Sequence, residues 1–327
     1  MAATKHLEYV AQLEAQLHGS PYYDVAEHTA ALAKSALETE LVRLDDTADT
    51  ADTTDTWTTH IKTLEWLLKF PTMSLTFDTF KTVLHDANIE LVQLFLKLTD
   101  IDPSADDNYA IRIASHYGQT DVVKLLLVDP RVDPSAKYNS AIRIACRYGN
   151  TDVVKVLLAD VRVDPSADNN DAICNASETG KTDVVIMLLA DVRVDPCGWD
   201  NYAIRYASTN GHLNVVEVLL ADPRVDPTAI DNYAIQYASL NGHTEVVKVL
   251  LADARVDPSA RDNLAICWAS ECGHTEVVKM LLADPRPDKP DPSAGDNYAI
   301  RKASKNGHTE VKMVIRKWSR CYSQTLV

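Results

Sequence analysis

Residues 231–261 read DNYAIQYASLNGHTEVVKVLLADARVDPSAR, and this stretch recurs along the chain. The dipeptide Ala-Ile starts at 110, 141, 172, 203, 234, 265 and 299, at five intervals of 31 residues and then one of 34. The longer interval places Pro287-Asp288-Lys289 or their neighbours in a connecting loop. Two weaker copies precede the array. Residues 79–105 keep Phe80, Val83, Leu91, Val92 and Asp102-Pro103-Ser104-Ala105 in register, and 60–71 looks like the second half of a unit. Self-similarity at a fixed period of this size marks an architecture of stacked units.

Each unit reads as two short helices. Asn232, repeated at 108, 139, 170, 201, 263 and 297, is placed to cap a first helix that carries Ala234, Ile235, Tyr237 and Ala238. Gly242 supplies a left-handed residue where that helix ends. Thr244 reads as the cap of a second helix, with Glu245 in its first turn, where the helix dipole favours an acid. Val246, Val247, Val249, Leu250 and Leu251 form a stripe wider than one face requires, as expected of a helix packed between two neighbours. Val256-Asp257-Pro258 stops it. Helices this short are marginal alone, so the units must stack.

With these residues in view, the unit resembles an ankyrin repeat. Ala-Ser-x-Asn-Gly-His-Thr-Glu-Val-Val-Lys-x-Leu-Leu, as at 238–251, matches the ankyrin core Ala-Ala-x-x-Gly-His-x-x-Val-Val-x-Leu-Leu-Leu. The match covers seven copies over 105–317 and, weakly, 60–104. It departs in three places. Tyr-Ala-Ile-Arg stands at 109–112, 202–205 and 298–301 where ankyrins have Thr-Pro-Leu-His. Pro130, Val161 or Ala254 replaces the glycine after the second helix, and the unit is 31 residues long rather than about 33. The resemblance implies an all-α solenoid of helix-turn-helix units joined by short hairpin-like loops. Its implied role is a non-catalytic scaffold that binds another protein on its concave face. The alternative is an adaptor that recruits a substrate, for example to ubiquitin-ligase machinery, through the N-terminal helices or the basic C-terminal end.

Composition agrees with a folded, non-enzymatic array. The 327 residues are 46% apolar and 24% charged, with formal charge −15 and pI near 5, a poor profile for nucleic-acid binding. The longest apolar run, 184–190, is too short to span a membrane, no signal peptide is evident, and the protein is expected in the cytoplasm, with the nucleus as the alternative. The six cysteines form no Cys-x-x-Cys pair, so reduced thiols are expected. Cys146 should be buried, and Cys197 the more reactive. No catalytic motif, phosphate loop or metal-binding motif occurs, and no cofactor or metal is expected.

The ends differ from the array. Residues 1–59 read as an N-terminal helical cap (helices near 4–18 and 22–44) with an acidic Asp/Thr linker at 45–56, followed by degenerate repeats at 60–104. Residues 318–327 read as a C-terminal tail. Residues 1–104 carry 7 basic and 17 acidic residues, whereas 301–320 hold seven bases against Glu310. The plain reading is two solvated ends, and the sharper one is charge-steered docking. Lys312 and Arg316 replace apolar residues of the stacking columns, which marks the end of the array. The terminal Thr325-Leu326-Val327 resembles a ligand of a PDZ domain.

His212, His243, His274 and His308 recur once per unit and resemble the ankyrin Gly-His position. The structural reading is a bond to neighbouring backbone, because stacking keeps them in separate layers, too far apart to share an ion. Arg112, Arg143, Arg205 and Arg301 share another column. An anion-binding ladder is set against pairing with aspartates such as Asp102, Asp133, Asp195 or Asp291. The partner site is sought where columns vary although the fold demands nothing. Trp199, Ile230 and Leu240 form the expected hot spot, flanked by Tyr202 and Tyr233, with Arg147, Tyr148, Asn210 and Asn241 in the same variable columns.

Overall fold

The left-handed turn Trp199-Asp200-Asn201, which recurs in each unit, sets the local geometry of the repeat. The computed structural model describes residues 77–85, 89–98, 101–286 and 290–325. The expected N-terminal cap, its linker and the partial unit at 60–71 lie outside these residues.

The chain divides into two compact units, residues 1–133 and 134–327. Within the first, α1 (Phe77–His85) and α2 (Ile89–Leu98) pair, as do α3 (Ala105–Tyr117) and α4 (Thr120–Val128). Helix α1 packs on α3 and α2 on α4, around buried Phe80, Leu84, Phe95 and Ile111. The second unit contains α5 (Ala136–Tyr148), α6 (Thr151–Leu158), α7 (Ala167–Glu178), α8 (Thr182–Leu189), α9 (Gly198–Thr209) and α10 (Leu213–Ala221). It continues with α11 (Ala229–Leu240), α12 (Thr244–Ala252), α13 (Ala260–Cys272), α14 (Thr275–Leu282), α15 (Ala294–Lys305) and α16 (Thr309–Thr325). Within this second unit, odd-numbered helices stack on one another in one layer and even-numbered helices in a second. Among the described residues the fold is all-helical, in agreement with the expected solenoid. Residues 318–325, read as tail, continue α16, and Trp318 Nε1 donates to Leu282 O at 3.1 Å.

The core is built from the repeated columns. Ala203, Ile204 and Ala207 of α9 and Val215, Val216 and Leu219 of α10 are all fully buried, as are their counterparts in α11 and α12. Burying one such isoleucine contributes about 1.5–3 kcal/mol. Gly211 has φ +77, and a Cβ there would lie 2.6 Å from His243 Nδ1, so both conformation and space require glycine.

Two expectations about the helix starts are overturned. Asn201 does not cap a helix. Trp199, Asp200 and Asn201 have φ of 52, 54 and 57, one turn of left-handed helix closed by Asn201 N–H donating to Cys197 O at 2.9 Å. The Asn201 amide oxygen accepts from the N–H of Asp226 in the following loop at 2.8 Å. The same bond joins Asn139 to Asp164, Asn170 to Asp195 and Asn232 to Asp257. Left-handed residues cost about 1–2 kcal/mol each, least for Asn and Asp, which explains the recurrent Asp-Asn. Thr244 begins α12 rather than capping it, and its hydroxyl donates to Gly242 O at 3.4 Å.

The shortened loop has its own stabilising ladder. Arg224 grips the Asp222 carboxylate with Nε and Nη2 at 3.0 and 2.6 Å, and its Nη1 donates to Val194 O of the preceding loop at 2.9 Å. Arg193 and Arg255 repeat this pattern. The guanidinium holds the Asp222 carboxyl below its ordinary range. Side-chain bonds thus connect successive loops that are two residues shorter than the ankyrin norm.

Candidate partner-binding face

The left-handed turn brings each unit's most variable residue to an exposed tip. Trp199 is 52% exposed and Ile230 is 42% exposed, at φ of 52 and 53. A large side chain at such φ, above all a β-branched one, is a genuine outlier. Arg205 secures its tip by donating from Nε to Asp200 O at 2.9 Å and from Nη2 to Trp199 O at 2.7 Å. Gln236 holds Asp231 O at 2.6 Å in the same manner. The arginine column therefore clamps backbone carbonyls of its own turns, not the hairpin aspartates. Arg143 differs, since its side chain pairs with Asp168 and Asp171 of the next repeat at 3.0 and 2.6 Å.

A cleft of about 470 Å³ opens beside Trp199. Arg147, Asp171, Cys174, Asn175, Glu178, Asp200, Tyr202 and Arg205 complete its lining. Tyr202 OH donates to Glu178 Oε2 at 3.2 Å, and Arg147 Nη1 to Asn175 Oδ1 at 3.2 Å. From this cleft a ladder of rings runs along the stack. Tyr202 stacks on Tyr206 and Tyr233 on Tyr237, each with centroids 3.9 Å apart. Tyr206 reaches Tyr233 at 6.1 Å, and Tyr237 meets the edge of Trp268 at 5.1 Å. Arg205, only 8% exposed, lies within 5.1–5.8 Å of the Tyr202, Tyr206 and Tyr233 rings.

Burial, aided by the Asp171 charge, pushes the Cys174 thiol up to about 12. Burial and the neighbouring Tyr237 and Tyr206 push Tyr233 up to about 12. Burial and then Glu178 raise Tyr202. These groups are protonated at neutral pH, so the cleft offers hydroxyl and guanidinium donors, carboxylate acceptors and ring faces, rather than an activated nucleophile. No three His, Cys, Asp or Glu side chains group to hold a metal ion among the described residues. Elsewhere, Cys146 is fully buried and Cys197 half-buried, whereas Cys272 is exposed.

Of the residues expected from sequence, Trp199, Tyr202 and Arg147 share the cleft, and Tyr233 joins the ring ladder. Ile230 stands at the next tip. Leu240 is half-buried at the opposite end of α11 from Ile230. Tyr148 is exposed, 49%, at the C-terminal end of α5. Asn210 and Asn241 are exposed, and their amides donate to Glu178 O and Thr209 O of the preceding repeat. The same carbonyls receive His212 Nε2 and His243 Nε2 at 2.9 Å, so the histidines bond neighbouring backbone as expected. Tyr206, Trp268 and Asp171 escaped sequence reasoning, and Tyr237 and Glu178 were noted only as a first-helix residue and a member of a variable column, without a role at the site. The recurring Tyr-x-x-x-Tyr at 202–206 and 233–237 was the signal for the ladder.

The fold and its carbonyl and histidine ladders define a class of stacked helical repeats. The family described as ankyrin repeats (3 copies) matches residues 79–168, 111–200, 142–231 and 204–293. The chain belongs to the ankyrin repeat family, a family of protein-protein interaction domains that is generally non-catalytic. No curated protein matches the chain.

Proposed function

We propose that the protein binds a partner protein, without catalysis, on the face made by the tips and first helices of α7, α9, α11 and α13, with Trp199 as its anchor. This is the side that the ankyrin resemblance assigns to the concave surface. The observation that carries the reading is the pair of large apolar side chains, Trp199 and Ile230, exposed on left-handed backbone at successive tips, the first of which lines the cleft. Neither side chain belongs to the buried core, although Trp199 Nε1 donates to Asp168 O of the preceding tip at 3.3 Å, and the conformation penalises them. The ring ladder supports it too, because Trp, Tyr and Arg dominate the energetics of interfaces.

The test is to recover a partner with the full-length protein, map its crosslinks, and titrate it against Trp199→Ala. The variant should lose about 2 kcal/mol or more of affinity. Its thermal midpoint should hardly change, since a tip residue supports little core. A variant that unfolds while sparing binding would make Trp199 a structural wedge and end this assignment.

A further inference from the structure

The ring ladder has a period, and the acids beside it share that period. Tyr202/Tyr206, Tyr233/Tyr237 and Leu264/Trp268 occupy equivalent positions on α9, α11 and α13. Packed helices lie roughly 8–10 Å apart, so the apolar ridges recur at about that interval. Asp200, Asp231 and Asp262 stand at the exposed tips, one per repeat. Asp231 is bridged by Arg261 at 3.0 Å, with both side chains more than half exposed. In the cleft, Trp199, Asp200 and Tyr202 line one space, so tip acid and ladder ring face the same ligand volume. Asp171 and Glu178 add carboxylates at that end.

The spacing selects among ligand conformations. A β-strand presents the same face about every 6.6 Å. An α-helix repeats every 5.4 Å. A polyproline II segment rises about 3.1 Å per residue with three residues per turn, roughly 9.3 Å per repeat of one face. Only the last keeps step with stacked helices. Aromatic-lined grooves suit such segments, whose preformed shape reduces the ordering cost of binding.

Resting on the partner-binding reading above, we infer that this face receives a basic polyproline II segment. Its prolines or aliphatic residues, at every third position, lie against Trp199 and the Tyr202–Trp268 ladder. Its arginines or lysines, at the same period, face Asp200, Asp231 and Asp262. Residues 105–327 carry 25 basic and 30 acidic residues, a net negative charge that does not oppose a cationic segment.

Fluorescence anisotropy on the full-length protein tests this with three labelled dodecapeptides: (Pro-Pro-Arg)4, (Pro-Pro-Glu)4 and (Gly-Ser-Arg)4. The first should bind saturably, and the other two should bind about tenfold more weakly or worse. Asp200→Asn combined with Asp262→Asn should weaken the first several-fold. Asparagine tolerates the left-handed backbone, so this variant keeps the fold. Tyr237→Leu should weaken it as well, in protein whose helicity and melting match those of the wild type. No saturable binding of (Pro-Pro-Arg)4, equal binding of either control peptide, or indifference to the double Asp variant would overturn the inference. The broader reading survives any of these results if Trp199→Ala still weakens the recovered partner, and fails only if that variant spares it.

Discussion

The sequence Asp-Asn-Tyr-Ala-Ile-Arg occurs at 107–112 in the first unit and twice in the second, at 200–205 in its middle and at 296–301 near its end. Both copies in the second unit form the same left-handed turn and the same helix. The environments are different. Ile204 is fully buried and Ile300 is half-buried. Asn201 is buried against the following loop, whereas Asn297 is exposed. Arg205 is buried among tyrosine rings with two bonds to its turn, whereas Arg301 is exposed and donates to Gly295 O at 3.1 Å. In α16, Val311 and Ile315 are buried, and Arg316 and Met313 face solvent. The hexapeptide encodes local conformation at either place. What it contributes to stability depends on whether another repeat follows.

The comparison can be tested with matched pairs of substitutions, read by chemical denaturation with hydrogen exchange resolved by segment. Ile204→Ala should cost about 3–4 kcal/mol and Ile300→Ala about 1 kcal/mol, because only the first leaves an enclosed cavity. Equal losses would mean that the terminal repeat is as tightly packed as the middle. Asn201→Ala should cost about 2 kcal/mol, the sum of a lost left-handed preference and an orphaned Asp226 N–H, against about 1 kcal/mol for Asn297→Ala, which loses only the first. A smaller change comes from the column ahead of Asp-Asn. Ile230→Gly should raise stability by up to about 1 kcal/mol by relieving strain at φ +53, and Gly295→Ile should lower it by about as much. A loss of stability on Ile230→Gly would show that Ile230 is held by packing and would remove one argument for its role in binding.

Much of the fold was legible because one fact, the 31-residue period, fixes helix pairs, turn glycines and stacking columns together. The histidine role was legible as well, since the Gly-His pair has one structural use in such arrays. Roles of polar side chains were not. Asn201 looked like a helix cap because Asn before an apolar run has that local meaning, yet its partner is the N–H of Asp226, 25 residues on. Arg205 looked like a partner for an aspartate, yet the left-handed turn aims two carbonyls at it. The candidate face was read in part. Column variation pointed to Trp199, Ile230, Leu240 and Arg147, and Tyr202 and Tyr233 were added as aromatic neighbours of that hot spot. It missed Tyr206, Tyr237 and Trp268, whose column was read only as part of the first helix, and it did not pick Glu178 out of the variable column that also holds Arg147 and Leu240.

By itself, then, the sequence determined the repeat, the register of each helix pair, the two apolar layers and the polar end of the array, because these follow from periodicity and local propensity. Tertiary structure decided which amide bonds which loop, how arginine holds the turn, that tyrosines of successive repeats join in one ladder, and that a cleft opens beside Trp199. Those outcomes depend on side-chain directions across neighbouring repeats. Local preference does not specify such directions, and three left-handed residues per turn redirect them away from the course that a simple helix start would have set.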